Sequence, residues 1–181
     1  MKKLLSKVYS VLFTTTCKVF YKRIVLGKNN RLTKSTEIIA TKGSKIILGD
    51  NCTCEKNVLL KSSNQGHISI GDNVYFNRGT SIYSLGNVIV GNDTIFGPNC
   101  LVFDHDHSII DGKIQKNDFS ITDVTIGNNV WIGAGTLILR GSVIGDNCII
   151  GAGSIIKGQI PKDTIVIQKR DKTVFKRIQE Q

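Results

Sequence analysis

Residues 126–161 read IGNNVW IGAGTL ILRGSV IGDNCI IGAGSI IKGQIP, six consecutive units of six residues that each begin with isoleucine. Glycine follows that isoleucine in four of the six units, and the fifth residue is mostly small. The same pattern occurs in two shorter runs, IGDNVY FNRGTS from Ile70 and VGNDTI FGPNCL from Val90, and in a weaker form from Leu48. Self-similarity at a fixed period is the signature of a repeat architecture. The sequence therefore predicts a stacked, repetitive domain.

The six-residue period has a direct structural interpretation. Each unit is predicted to form a short strand and a tight turn, with its first residue pointing inward and the adjacent glycine supplying the turn's backbone conformation. Three units, about 18 residues, would close one triangular coil, and successive coils would stack at about 4.8 Å. The fifth position also points inward and must be small. Cys52, Cys100 and Cys148 occupy it, so we interpret them as buried small residues rather than metal ligands.

Composition and charge narrow the possible functions. The chain has 181 residues, enough for one domain, of which 40% are hydrophobic and only 7% aromatic, as expected for an aliphatic core. The net charge is +10, but residues 1–34 carry nine lysines and arginines and no acidic residue. The middle of the chain is net negative, which argues against a nucleic-acid-binding core. No apolar run is long enough to predict a membrane-spanning helix.

The two ends of the chain differ from the repeat. Apolar residues at roughly helical spacing within residues 3–26, interleaved with basic ones, predict one or two amphipathic helices. These would cap the first coil, pack on another subunit or dock on an anionic membrane surface. The sequence thus predicts a basic helical extension over residues 1–34, a β-helix domain over residues 35–167, and a basic helical tail over residues 168–181.

The N-terminus and the cysteines bear on cellular location. No small-residue cleavage site follows the N-terminal apolar stretch, which argues against a signal peptide. The chain has five cysteines, an odd number that suggests free thiols in a reducing compartment. We therefore expect a cytoplasmic protein, with peripheral contact at the inner membrane as a further expectation.

The repeat is interrupted at residues 108–125 and resumes in phase at Ile126. This segment fits either one irregular coil or an extruded loop, and the loop is favoured because serines occupy two positions where the repeat requires large apolar residues. Two of the three histidines, His105 and His107, immediately precede it in FDHDHSI. Histidine supplies general acid–base chemistry near neutral pH. The cluster therefore predicts a catalytic site beside the interrupting loop.

These repeats, the motif NNVWIGAG at residues 128–135 and the cluster DHDHS at residues 104–108 resemble the hexapeptide-repeat acyltransferases. The resemblance covers about residues 35–165 and is closest to the galactoside and maltose O-acetyltransferases and to the O-antigen and capsule sugar O-acetyltransferases. It implies an all-β fold, a left-handed parallel β-helix. It also implies acetyl-CoA as acetyl donor, a sugar or oligosaccharide acceptor, no metal, and a homotrimer with active sites between subunits.

The resemblance also implies catalytic roles. Counting back from Trp131, the family's catalytic histidine matches His107, and His105 is the alternative. This base would remove a proton from a sugar hydroxyl as the hydroxyl oxygen attacks the thioester of acetyl-CoA. Asp104 or Asp106 would orient a ring nitrogen, although a backbone carbonyl would serve equally.

Binding residues follow from the same match. Asn77 and Trp131 are implied in acceptor binding, and Trp131 should point outward because it precedes the inward-facing Ile132. Backbone groups around Gly133, Ala134 and Ala152 are implied to contact the pantetheine arm, and amides near Gly133–Gly135 to stabilise the oxyanion. The phosphates of coenzyme A are expected near the basic side chains of Lys157, Lys169 and Arg170.

Three alternatives remain open from the sequence. One is N-acylation of an amino-sugar nucleotide, since an amine acceptor needs a base as well. Another is a γ-type carbonic anhydrase on the same fold, which would need three zinc-binding histidines. A non-enzymatic ice-binding β-helix would show a regular outward threonine ladder, and the outward positions here are mixed.

Overall fold

The computed structural model describes residues 22–168, which form a parallel β-helix without any α-helix in that range. Each coil contributes one strand to each of three sheets, called here A, B and C in the order in which the chain meets them. The strands of the first three coils are β1 (Ile24–Leu26), β2 (Arg31–Leu32), β3 (Glu37–Ala40), β4 (Lys45–Leu48), β5 (Thr53–Cys54), β6 (Leu59–Ser62), β7 (His67–Ile70), β8 (Tyr75–Phe76) and β9 (Ser81–Ser84).

The fourth coil precedes an excursion from the β-helix and the fifth follows it. The fourth coil consists of β10 (Asn87–Val90), β11 (Ile95–Phe96) and β12 (Leu101–Phe103), and the excursion consists of β13 (His105–Ile110) and β14 (Lys113–Ile121). The later strands are β15 (Val124–Ile126), β16 (Trp131–Ile132), β17 (Leu137–Ile138), β18 (Val143–Ile144), β19 (Ile149–Ile150), β20 (Ile155–Ile156), β21 (Gln159–Ile160) and β22 (Ile165–Val166).

Stacking of equivalent residues builds the core. Parallel pairing places Phe96 above Phe76 and Ile132 above Phe96, so each inward residue rests on its counterpart in the neighbouring coil. The Phe76 and Phe96 rings stack with centroids 4.9 Å apart, and both side chains are fully buried. The predicted inward orientation of the first residue of each unit is confirmed, and a narrow column of aliphatic side chains fills the interior.

The coils are longer than predicted in the first half of the domain. Corner hydrogen bonds join residues 22 apart between the first three coils, 20 apart between the third and fourth, and 18 apart between the fifth and sixth. The extra residues lengthen the strands of sheets A and C to four residues. The 18-residue coil is therefore correct only after the excursion, which explains why the six-residue pattern is weak before Ile70.

Glycine at the second position of a unit has a different role from the predicted one. At the corner between sheets A and B, positive φ falls on the residue two positions later: Asn29, Asn51, Asn73, Asp93, Asn129 and Asn147. The glycines permit close approach instead, since a Cβ on Gly91 would lie 2.6 Å from the carbonyl carbon of Gly127 in the next coil. Positive φ falls on glycine at the corner between sheets B and C, at Gly135 and Gly153.

The β-helix begins earlier than the sequence indicated. Strand β1 starts at Ile24, so the boundary predicted at residue 35 is too late and residues 24–34 belong to the first coil. Of residues 3–26, predicted to form amphipathic helices, residues 3–21 lie outside the described residues and Ile24–Leu26 form a strand instead of a helix. The tail after Gln168 also lies outside the described residues. At the other end, Gln168 binds the edge strand β20 by donating to the Ile155 carbonyl at 2.7 Å and accepting from its amide at 2.8 Å. Within residues 22–168, no helix could cross a membrane.

The described cysteines are buried free thiols, as their repeat positions predicted. Burial raises the pKa of the Cys52 thiol to about 11, and burial also raises the pKa of Cys100. The Cys100 sulfur lies 3.2 Å from the carbonyl oxygens of both Gly97 and Gly133, where the thiol can donate. Because a nucleophilic cysteine needs an accessible thiolate, these residues are structural.

Candidate active site

The interrupting segment is an extruded β-hairpin, as the loop alternative anticipated. Strands β13 and β14 pair antiparallel, with a bulge between His107 and Ile109. The hairpin leaves the β-helix at the corner between sheets C and A, after β12, and returns at β15. It starts at His105 rather than at residue 108. His107 therefore lies on a hairpin strand.

A buried carboxylate anchors the base of the hairpin. Asp104 has no exposed surface, and its Oδ2 accepts hydrogen bonds from the Ser84 hydroxyl at 2.7 Å and the Gly86 amide at 2.8 Å. Its Oδ1 accepts from the Leu85 amide at 3.0 Å and lies 2.7 Å from Nδ1 of His105. With these donors directed at the carboxylate, it acts as the acceptor, so His105 donates from Nδ1, and in the neutral imidazole the lone pair is on Nε2.

A backbone carbonyl orients the second histidine. Nδ1 of His107 lies 2.9 Å from the carbonyl oxygen of Gln115, on the opposite strand of the hairpin. A carbonyl oxygen can only accept, so Nδ1 carries a proton, and in the neutral imidazole Nε2 carries the lone pair. The sequence left a carboxylate and a carbonyl open as orienting groups. In the structure, the Asp104 carboxylate contacts His105, and the Gln115 carbonyl contacts His107.

The two imidazoles differ in exposure. The ring of His105 packs edge-on against Phe103 and Phe119, with centroids 6.1 and 5.4 Å away, and its side chain is only 17% exposed. The ring of His107 lies tilted over Phe119 at 4.7 Å and is exposed. Of the two, His107 therefore presents the more accessible nitrogen to a substrate.

Asp106 contacts neither imidazole. Its Oδ2 accepts a hydrogen bond from Nε of Arg140 at 2.6 Å, and Nη1 of Arg140 also donates to the Thr122 hydroxyl at 3.2 Å. The predicted alternative in which Asp106 orients a histidine is therefore wrong. Arg140 could not be identified from the sequence, because its pairing with Asp106 depends on how the hairpin folds back onto the fifth coil.

The predicted acceptor and cofactor residues lie mostly on another edge. Asn77, Gly133, Ala134 and Ala152 directly follow strands β8, β16 and β19, at the corner between sheets B and C. Ala134 and Ala152 are exposed, and a Cβ on Gly133 would lie 2.5 Å from the Ala152 amide. This edge is consequently a narrow ridge of backbone and methyl groups. Asn77 accepts from the Arg78 amide through its Oδ1 at 2.8 Å.

The amides proposed for the oxyanion are partly occupied. The Gly133 amide donates to the Ile150 carbonyl at 2.8 Å, and the Gly135 amide donates to the Pro98 carbonyl at 2.8 Å. Both hydrogen bonds hold neighbouring coils together. The expectation that these two glycine amides stabilise an oxyanion is therefore wrong.

Trp131 lies on the outer face of sheet B and is 55% exposed, as predicted from its place before the buried Ile132. It belongs to an outward column in which Tyr75, Ile95 and Trp131 are neighbours in register. Tyr75 was not singled out from the sequence, because the column is visible only once the coils are aligned. Burial, together with the nearby Glu55, raises the pKa of the Tyr75 hydroxyl.

The remaining candidates are distributed as follows. Lys157 is exposed after β20, on the same edge as the hairpin, and Lys169 and Arg170 lie outside the described residues. His67 lies on β7 in sheet A, apart from the hairpin strands. Within residues 22–168, no group of three or more histidine, cysteine, aspartate or glutamate side chains is arranged to hold a metal. The histidines thus do not form the three-ligand set that a carbonic anhydrase would need within one chain.

Comparison with known proteins agrees with the repeat. Residues 123–158 match the model of the bacterial transferase hexapeptide family (six repeats). A putative lipopolysaccharide biosynthesis O-acetyl transferase, WbbJ of Escherichia coli K12, is 30% identical over 155 residues, covering 78% of this chain and 76% of the relative. Galactoside O-acetyltransferase of the same organism is 34% identical, covering 65% of this chain and 57% of the relative.

Solved structures show the same architecture. Galactoside acetyltransferase in complex with coenzyme A is 31% identical, with a TM-score of 0.56 over 68% of this chain and 59% of that chain. AntD, an N-acyltransferase from Bacillus cereus in complex with dTDP and 3-hydroxybutyryl-CoA, has a TM-score of 0.69 over 83% of this chain and 81% of that chain. At 20% identity, the likeness to AntD concerns the fold.

Proposed function

This chain belongs to the hexapeptide-repeat family of acetyltransferases, and on that premise we propose that it transfers an acetyl group from acetyl-CoA to a hydroxyl of a bacterial cell-surface sugar. The observation that carries the proposal is the exposed His107 ring, whose Nδ1 is fixed by the Gln115 carbonyl so that Nε2 can accept a proton. Two relatives are named for lipopolysaccharide biosynthesis and for galactoside O-acetylation, and these names support an O-acetylated sugar as the product.

The proposed reaction is direct transfer with His107 as general base. Nε2 takes the proton of the sugar hydroxyl while the hydroxyl oxygen forms a bond to the thioester carbonyl carbon. The carbon–sulfur bond then breaks, and the same proton passes from His107 to the departing thiolate of coenzyme A. The product pair is an acetyl ester and free coenzyme A. The described cysteines are buried, so this scheme has no acyl-enzyme.

His105 is the alternative base, and its geometry suits a supporting role better. Its Nδ1 is bound to the buried Asp104 and its ring is enclosed by Phe103 and Phe119. In this proposal Asp104 and His105 hold the start of the hairpin against the β-helix. His107, two residues further along the same strand, then performs the proton transfer.

The proposed site is shared between two copies of the chain. The histidines lie at the corner between sheets C and A, whereas Asn77, Ala134 and Ala152 lie at the corner between sheets B and C. Sheet C separates these two edges within one chain. A neighbouring subunit would therefore complete the site, as in a homotrimer. Asn77 and Trp131 would bind the acceptor sugar in this assembly.

Coenzyme A would then lie along the ridge formed at the corner between sheets B and C. Gly133, Ala134 and Ala152 carry no side chain beyond a methyl group, so a thin pantetheine arm can approach the backbone. Lys157 lies on the hairpin edge, so it would contact the phosphates of coenzyme A bound on the ridge of a neighbouring subunit, and Lys169 and Arg170 are proposed as further phosphate contacts. With acetyl-CoA as the proposed donor, the enzyme would act in the cytoplasm, and the basic N-terminal segment is its proposed contact to the inner membrane.

Thermal stability with added ligand tests the cofactor assignment. At a coenzyme A concentration about 100 times its Kd, the folded state should gain about 2.7 kcal/mol, seen as a higher Tm. Ala134→Glu should abolish this shift without lowering the Tm of the unliganded protein, because Ala134 is exposed and the new side chain would obstruct only the ridge. No shift with coenzyme A, combined with a Tm that falls when zinc is chelated, would replace the transferase proposal by the carbonic anhydrase alternative.

A further inference from the structure

The strand that carries both histidines is tied to the β-helix by an ion pair on its other face. Asp106 lies between His105 and His107, and successive side chains of a strand point to opposite faces. Arg140, in the corner that follows β17, donates to Asp106 from Nε at 2.6 Å and to the Thr122 hydroxyl from Nη1 at 3.2 Å. One guanidinium group thus contacts both sides of the base of the hairpin, near the start of β13 and just after the end of β14.

We propose that Arg140 is a positioning residue, which fixes the orientation of strand β13 through Asp106 and thereby the position of Nε2 of His107. The catalytic consequence rests on the proposed function, whereas the anchoring of the hairpin does not. Because Asp106 is bound to Arg140 after β17, the face of β13 that carries His107 points away from this contact. Residues 105–107 pair in register with residues 119–121, and the register shifts directly after His107, so the contact at Asp106 holds the segment that carries His107 to the β-helix.

Asp104 alone does not set this orientation. Its hydrogen bonds from the Leu85 and Gly86 amides fix the point where the hairpin leaves the coil, and its contact with Nδ1 of His105 reaches only the first residue of β13. The Thr122 amide donates to the Asp104 carbonyl at 2.8 Å and closes the same base. Beyond this point, the ion pair of Arg140 with Asp106 is the contact that holds the histidine-bearing strand toward the fifth coil.

The Arg140–Asp106 pair is suited to orientation rather than to global stability. The side chains of Arg140 and Asp106 are 29% and 49% exposed, and ion pairs in water contribute little to unfolding free energy. A small displacement of a catalytic group nevertheless lowers the rate by about 10 to 100-fold. Lysine cannot replace Arg140, because a single ammonium cannot match the two-armed contact to Asp106 and Thr122.

The test combines hairpin mobility with kinetics in Arg140→Gln, Arg140→Lys, Asp106→Asn and the double variant Arg140→Gln/Asp106→Asn. Trypsin cleavage after the exposed Lys113 and Lys116, followed by mass spectrometry, reports hairpin mobility independently of activity. Acetyl-CoA turnover with methyl β-galactoside as acceptor reports catalysis. Lys162→Gln is the matched control, since it removes another exposed ion pair, with Asp163, away from the hairpin.

We expect each of the three single variants to be cleaved faster at the hairpin and to lose about 10-fold or more in kcat, with KM for acetyl-CoA and the Tm nearly unchanged. The double variant should be no worse than either single variant, because both remove the same contact. Unchanged cleavage in Arg140→Gln, or faster cleavage with an unchanged kcat, would overturn the positioning role. If the wild-type protein turned over no acetyl-CoA, the proposed function would fail, and the cleavage comparison would still decide the anchoring.

Discussion

Replacing His107 with alanine is expected to lower kcat for sugar acetylation by about 10²–10⁴-fold, while the stabilisation by coenzyme A persists. The physical reason is the loss of the only proposed proton acceptor for the sugar hydroxyl. The side chain is exposed on the hairpin, so its removal leaves the β-helix core intact. Thiol release from acetyl-CoA measures the rate, and ligand-induced thermal stabilisation measures binding.

Two histidine variants serve as controls for this result. His67→Ala removes an exposed imidazole from sheet A and should leave kcat unchanged. His105→Ala should impair activity less than His107→Ala, because it removes a support of the hairpin and leaves the proposed base. Wild-type kcat in His107→Ala, with activity lost in His105→Ala, would transfer the role of base to His105.

Replacing Asp104 with alanine is expected to lower the free energy of unfolding by about 3 kcal/mol and to reduce activity strongly. Without the carboxylate, the amides of Leu85 and Gly86 lose their acceptor inside a buried corner, and His105 loses the partner of Nδ1. Buried donors without acceptors are costly, so the loss should be much larger than for an exposed carboxylate. Urea denaturation measures the change.

The column of residues beneath Asp104 provides matched controls. Ser84 and Ser62 are register neighbours on sheet C and both are buried, but only the Ser84 hydroxyl donates to Asp104. The Ser62 hydroxyl oxygen has no hydrogen-bond partner. Ser84→Ala should therefore cost about 1 kcal/mol, and Ser62→Ala should be neutral or slightly stabilising. Equal effects of Asp104→Ala and Ser62→Ala would show that the carboxylate does not organise this corner.

Much of the β-helix could be predicted because its repeat is a direct consequence of stacking. The isoleucines from 126 to 156 keep a strict period, since the same narrow interior recurs at every turn. The early coils could not be counted in the same way, because four-residue strands in sheets A and C change the coil length without changing the inward–outward alternation. The strands at Ile24 and Arg31 were missed for this reason.

The sequence was enough to predict which residues form the candidate site, but not which contacts they make. The outward orientation of Trp131 followed from the inward position of its neighbour. By contrast, the bond between His107 and Gln115 depends on hairpin register, and the pair of Asp106 with Arg140 depends on how that hairpin lies on the fifth coil. Neither relation has a fixed sequence spacing. Asp104 becomes the buried anchor because backbone amides of a different coil converge on it.

The most direct test of the proposed function is the chemical nature of the product. The purified protein would be incubated with acetyl-CoA and a panel of galactosides, O-antigen oligosaccharides and amino-sugar nucleotides, and each acceptor analysed by mass spectrometry before and after mild alkali. The expected product is a galactoside or oligosaccharide that carries one acetyl group, which alkali removes because it is an ester. Acetylation confined to the amino-sugar nucleotides through an alkali-stable amide, or coenzyme A release without any acetylated acceptor, would contradict the proposed function.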